Sequence, residues 1–342
     1  MNPFERLASK PQFEGPKRQH YISQFYLEGF TDNDGLLNIF DRNKGQIRVQ
    51  QPKDTAVIGH FYTFFDEQNR RRFELENFFG VIENQASSAL RSIKLGESLS
   101  QKDRENLAFF VAMTAVRTPA AFEEARLVKE AVEKHLIKLR FSDEEKAYVE
   151  AKKLLPATAT EEELRKFATD AHLMFKEDRF SVQVPEELGR QLAIKQLATI
   201  AEIIYDRDWT VVDAPEGATY LTSDSPTILV PNKNFRDQPL GFASLHARIL
   251  FPVSKKIALV MNGDGGRFRR MDARNEQVHR FNVSLASDCH RFIISTDANY
   301  LRDVANESRI ACTPWKPRVN VEIATHPVSG KKAVSIVGRG VR

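Results

Sequence analysis

The spacing of apolar positions changes twice along the chain. In LLNIFDRNKGQIRVQ, residues 36 to 50, apolar and polar positions alternate on either side of Asn43, Lys44 and Gly45. That spacing predicts a β-hairpin, with glycine where φ turns positive. From about 72 to 206 the period lengthens to that of a helix. In LENFFGVIENQASSALRSI, the residues Leu75, Phe78, Phe79, Ile82, Ala86, Ala89, Leu90 and Ile93 form a single stripe. DRENLAFFVAMTAVR is apolar on nearly all sides from Leu107 to Val116, which predicts a buried central helix with Ser100 as its N-cap. Thr118-Pro119 interrupts it, and a charged helix runs on to about 139. Ser142 and Thr160, each followed by acidic residues, start two more helices, and Pro185 opens one that ends near Asp206.

At Trp209 the period changes again. DWTVVDA, ATYLTSDSPTILV, ARILFPVSKKIALVMN, RFIIST, RVNVEIAT and KAVSIVG read as strands, with helices at about 272 to 286 and 298 to 307 among them. The expected class is α+β: a central helical block packed with a largely antiparallel or mixed C-terminal sheet and an N-terminal β-hairpin. Residues 1–17 read as a loose arm, 18–206 as the hairpin plus helical block, and 207–342 as a basic, β-rich subdomain sharing one core with the helices. The pattern leaves open whether the hairpin joins the later sheet.

A chain of 342 residues can bury a large core. No apolar run approaches the roughly 18 to 20 residues that span a bilayer, and MNPFERLASKPQ lacks a signal-peptide profile. Cys289 and Cys312 are the only cysteines, too few for a disulfide framework or a cysteine-based zinc site. The expectation is a cytoplasmic protein that meets no membrane; its oligomeric state is not legible. Charge is unevenly spread. Residues 1–230 carry 31 Lys+Arg against 37 Asp+Glu, or −6, and residues 231–342 carry 19 against 9, or +10. A basic last third points to nucleic acid or another anionic ligand, or it only keeps a β-rich region soluble.

Missing motifs narrow the chemistry. GxxxxGK[ST], HExxH and GxSxG do not occur, and no GxGxxG follows a strand. GDGG at 263–266 reads as a hairpin turn rather than a phosphate loop. Four places remain. His20, flanked by Gln19, Tyr21 and Gln24, can act as a general base near neutral pH or be a core residue bonded to a carbonyl. Glu76 and Glu83, seven residues apart, lie within about 20° of each other on a helix, beside the apolar stripe. Arg72 precedes Glu76 by four residues and could pair with it. Arg117 ends the apolar helix and needs an acceptor, for which Glu83 is the first choice. Asp224 lies in Thr222-Ser223-Asp224-Ser225-Pro226, where Pro226 stops a strand and a carboxylate can project into a site or only shape a turn.

Together these segments resemble a bacterial family of uncharacterised proteins, domain-of-unknown-function family 4238. QHYISQFYLEGF is similar to its opening motif, QHYVPxxYLxxF, with Ile22-Ser23 where Val-Pro is usual. LNIFDRNKG, HFYTF, LENFFGVIE with its E-x6-E pattern, AMTAVRTPA, YLTSDSPT, LFPVSKKIALV and the helix around Asn282 follow in order, over about 18 to 295. The resemblance implies a shared fold and groups His20, Glu76, Glu83, Arg117 and Asp224. It assigns no reaction.

Two functional expectations result. The first is a hydrolase of the nuclease or phosphoesterase kind, suited to a toxin or phage-defence effector. In it His20 transfers a proton, and Glu76, Glu83 and Asp224 hold Mg2+ or Mn2+. Arg117 meets phosphate, and Tyr21, Gln24, Ser223 and Asn282 contact substrate. The second is a non-catalytic module that binds nucleic acid or protein, its polar residues forming a structural network.

Overall fold

The computed structural model describes residues 11–232, 240–325 and 332–338. The loose arm expected at 1–17 falls on described residues only from 11, and 11–17 carry no regular structure; residues 1–10 lie outside them. The N-terminal part contains β1 (Arg18–His20), the short helix α1 (Gln24–Leu27), β2 (Leu37–Asp41), β3 (Gln46–Gln50), β4 (Val57–Gly59), β5 (Phe64–Phe65) and β6 (Arg71–Arg72). The helical block follows: α2 (Glu74–Leu95), α3 (Gln101–Val116), α4 (Pro119–Arg140), α5 (Glu144–Leu154), α6 (Glu161–Lys176), α7 (Glu186–Lys195) and α8 (Leu197–Asp206). Then come β7 (Asp208–Asp213), β8 (Thr222–Ser223), β9 (Ile228–Pro231), β10 (Ala247–Ser254), β11 (Ile257–Asn262), β12 (Phe268–Asp272), α9 (Asn275–Asp288), β13 (Phe292–Ser295), α10 (Ala298–Glu307), β14 (Val319–Thr325) and β15 (Lys332–Gly338). The class is α+β.

Local chemistry sets the helix ends that matter for the site. Gly96, at φ 76°, closes α2, a conformation that costs a residue with a Cβ. Ser100 and Asp103 cap α3 reciprocally. The Arg-Thr-Pro segment is a junction between two helices. Arg117 is the C-cap of α3, the Thr118 hydroxyl accepts from the Ala121 N–H, and Pro119 takes the first position of α4, where no N–H is needed.

A five-stranded sheet runs β12-β7-β11-β10-β9, antiparallel except between β12 and β7. In β10 successive residues face opposite clusters. Ile249 and Phe251 join the core built from Phe79, Phe110, Ile204 and Trp209, whereas Leu250 joins Phe281, Leu285 and Leu301 of α9 and α10. Covering both faces explains why LFPV lacks alternation. The N-terminal hairpin does join C-terminal strands, but in a separate antiparallel sheet, β3-β2-β13-β8.

One expectation is corrected here, and one is qualified. GDGG is not a hairpin turn, because β12 pairs with β7 rather than with β11. The loop steps over the start of β7, where the Trp209 N–H donates to the Arg267 carbonyl at 2.7 Å. A Cβ on Gly265 would stand 2.7 Å from Asp208 Oδ1, so any larger residue would have to push that carboxylate aside. The basic excess of the last third is also partly spent inside the chain. Arg267 pairs with Asp208 at 2.7 Å and Arg270 with Asp213 at 2.6 Å. Arg291 pairs with Asp41 at 2.9 Å and Arg318 with Glu124 at 3.1 Å. Four arginines of the basic late part therefore meet carboxylates of the acidic early part across contacts between segments.

Candidate functional site

The site grows from Arg117, which is 1% exposed. A guanidinium that deep must have its donors engaged. Nε donates to the Tyr21 carbonyl at 3.1 Å, Nη2 to Ser23 Oγ at 2.6 Å, and Nη1 meets Glu83 Oε1 at 2.7 Å. Ser23 Oγ in turn donates to the same Glu83 oxygen at 2.6 Å. Arginine, serine and glutamate thus form a closed triangle resting on the Phe79 ring, 5.5 Å from the guanidinium carbon. The backbone carbonyl of Arg117 accepts from the Tyr62 hydroxyl at 2.8 Å. Gln19, fully buried, holds Tyr62 from the other side by accepting its N–H at 2.6 Å. The opening motif, the E-x6-E helix and the Arg-Thr-Pro junction are therefore one polar assembly.

Two titratable groups border the triangle and are more open. Glu76 is partly buried. Loss of solvent pushes its carboxyl up to about 7, with Arg117 pulling down and Glu83 pushing up. His20, also partly buried, has its imidazole lowered, first by desolvation, while the Lys53 carbonyl and Glu83 pull the other way and Arg117 lowers it further. His20 Nε2 lies 3.1 Å from the Lys53 carbonyl. A carbonyl only accepts, so Nε2 carries the hydrogen, and the neutral ring keeps its lone pair on Nδ1. His20, Glu76, Glu83 and Arg117 thus share one electrostatic neighbourhood.

Asp224 stands apart. It is 1% exposed, and its carboxylate accepts the His290 N–H at 3.0 Å and the Arg291 N–H at 2.7 Å. Burial pushes this carboxyl up to about 7 against those two hydrogen bonds. Tyr21 lies between the two centres. Its carbonyl serves Arg117, while its buried hydroxyl is pushed far up by desolvation and by Asp224. The expected metal set Glu76, Glu83 and Asp224 does not form: Glu83 is committed to Arg117 and Ser23, and Asp224 to backbone donors. Among the described residues no group of three His, Cys, Asp or Glu side chains could hold a metal ion, so Mg2+ or Mn2+ finds no carboxylate cradle there.

The expected substrate contacts separate in the same way. Gln24 is exposed and bonds Glu28, the residue that caps its own helix, at 3.4 Å. Ser223 is fully buried and accepts the Ser225 N–H at 3.1 Å. Asn282, also fully buried, uses its amide to hold Leu221 N–H, the Thr219 carbonyl and the Tyr300 hydroxyl. These last two shape the fold around β8. Arg72 pairs with Glu74 at 2.5 Å rather than with Glu76, because α2 begins only at Glu74 and residue 72 is not on the helix. Three members went unrecognised in the sequence: Ser23, Tyr62 and His290. Ser23 had a signal, since it replaces the usual proline of the opening motif. His290, 3.8 Å from Asp224, had none.

A family model described as protein of unknown function (DUF4238) matches residues 18–299. That is most of the chain, which therefore belongs to this family. No curated protein and no solved structure matches it.

Proposed function

From membership of a family whose description assigns no activity, we propose that the Glu76 and His20 surroundings are an acid–base centre and that the chain is a hydrolase. The observation that carries this reading is Glu76, a partly open carboxyl pushed to about 7 beside a second carboxylate and a sealed arginine. Such a group exchanges its proton near neutral pH, where general acid–base catalysis is most effective. His20, with a free lone pair on Nδ1, supplies the complementary proton acceptor. Arg117 acts through Glu83 and Ser23 as a positioning residue, since its donors are engaged. The phosphate reading loses one feature that suggested it, a free Arg117, because the donors of that side chain are engaged. Carboxylic esters and amides therefore stand beside RNA, DNA and nucleotides as substrates to test.

Labelled RNA, DNA, nucleotides and simple esters are incubated with wild type, Glu76→Gln and His20→Ala. Each variant should lose about 10²-fold or more in turnover while its melting point stays within a few degrees. Equal turnover in all three proteins rejects the centre. The sealing of Arg117 and Asp224 favours a second reading, a non-catalytic module locked by a polar network. It predicts no turnover of any substrate and a fall of several degrees in melting point for Arg117→Ala, since breaking a buried pair costs about 3–5 kcal/mol.

A further inference from the structure

Next to the polar cluster, across Tyr62, the molecule holds a cavity of about 330 Å³ between the start of α2 and α7. Its size falls in the range of small-molecule sites, about 300–1,000 Å³. Tyr62, Phe64, Leu75 and Ile194 provide apolar walls, and Glu74 and Arg190 also line it. Each of those two charged residues keeps one buried polar atom without a partner: Glu74 Oε2 and Arg190 Nε.

The rest of each side chain is held in place. Glu74 is 2% exposed, and its Oε1 accepts from Arg72 at 2.6 Å and from the Gln12 N–H at 2.8 Å. Arg190 lies over the Phe61 and Phe122 rings, 5.6 and 5.9 Å from their centres, and reaches the Thr63 carbonyl at 3.4 Å. A buried donor or acceptor left unmade costs about 1–3 kcal/mol. One carboxylate and one guanidinium, each with a buried polar atom left without a partner, therefore line a single, largely apolar hollow. Arg72, paired with Glu74, also lines the hollow, and the rim adds Glu187 and Lys195, so three cations stand against two anions and the lining does not favour a strongly charged ligand.

We infer that this cavity binds a small zwitterion of amino-acid type. Its ammonium meets Glu74, its carboxylate meets Arg190, and an aromatic or large aliphatic side chain packs on Tyr62, Phe64, Leu75 and Ile194. The inference holds whether or not the neighbouring cluster turns over a substrate.

Isothermal titration of the full chain with L-phenylalanine and L-leucine tests it. Phenylacetate, which lacks the amine, and phenethylamine, which lacks the carboxylate, serve as the discriminating arms. At least one of the two amino acids should bind, with each truncated analogue weaker than L-phenylalanine by about tenfold or more, or about 1.4 kcal/mol. Arg190→Gln should weaken L-phenylalanine about tenfold and leave phenethylamine unchanged. If that variant does not fold, the wild-type series decides alone. No binding of either amino acid up to about 10 mM overturns the inference, and so does phenylacetate or phenethylamine binding as tightly as L-phenylalanine.

Discussion

Ser23 shows how much one hydroxyl can organise. It sits where proline is usual in the opening motif, and it accepts from Arg117 while donating to Glu83. Proline could do neither, so this chain ties its arginine and glutamate together through a group that the motif does not specify. Glu76 is a partly open carboxyl whose charge depends on pH near neutrality. Its folded value is about 7 against an ordinary 4.5, so the fold binds this proton more tightly than the unfolded chain does. Its effect on stability is most favourable below about pH 4.5 and is lost as pH rises toward 7. Glu76→Gln removes that dependence. The variant should melt close to wild type at pH 5 and gain relative to it at pH 8, by thermal unfolding at both values. An identical difference at the two pH values would show that Glu76 is not held in its acid form.

At the scale of elements, the junction between α3 and α4 couples packing to the site. The apolar α3 carries Arg117 at its end, and the next two residues start a new helix at once. Thr118, 1% exposed, caps that helix. Thr118→Ala should cost about 1 kcal/mol, in the 0.5–2 range of lost N-caps, seen as a lower denaturant midpoint at unchanged slope. A changed slope would mean that the two helices no longer unfold together. The sequence showed this break because proline and threonine act locally. It did not show that GDGG avoids a hairpin, because its glycines suit any tight connection and only the pairing of β12 with β7 excludes the hairpin.

Across the whole molecule, charge joins distant segments. Arg318 meets Glu124 on α4 and Asp288 at the end of α9, at 3.1 and 2.9 Å. Both carboxylates are largely hidden, at 12% and 2% side-chain exposure. Arg318→Ala should therefore cost about 3–5 kcal/mol by stranding them, whereas Lys102→Ala, removing an exposed pair with Glu105, should change stability by less than about 1 kcal/mol. Comparable denaturant midpoints for the two variants would contradict the role of Arg318 as a clasp. In the described residues no helix is long and apolar enough to cross a membrane.

Periodicity alone determined the helical block, most strands after Trp209 and the hairpin at 36–50, because amphipathic spacing and turn chemistry act over a few residues; it did not divide ATYLTSDSPTILV between two sheets or the 185–206 stretch into two helices. Ordered motifs likewise brought His20, Glu76, Glu83 and Arg117 into one group. Tertiary structure decided the rest: that Asp224 turns to backbone donors, that Asn282 braces a strand, that Arg72 chooses Glu74, and that Arg267, Arg270, Arg291 and Arg318 meet acidic partners within the chain. Each depends on which buried polar group finds a mate across a long sequence separation. Leaving such a group unpaired is costly, but nothing in its own neighbourhood of sequence names the partner.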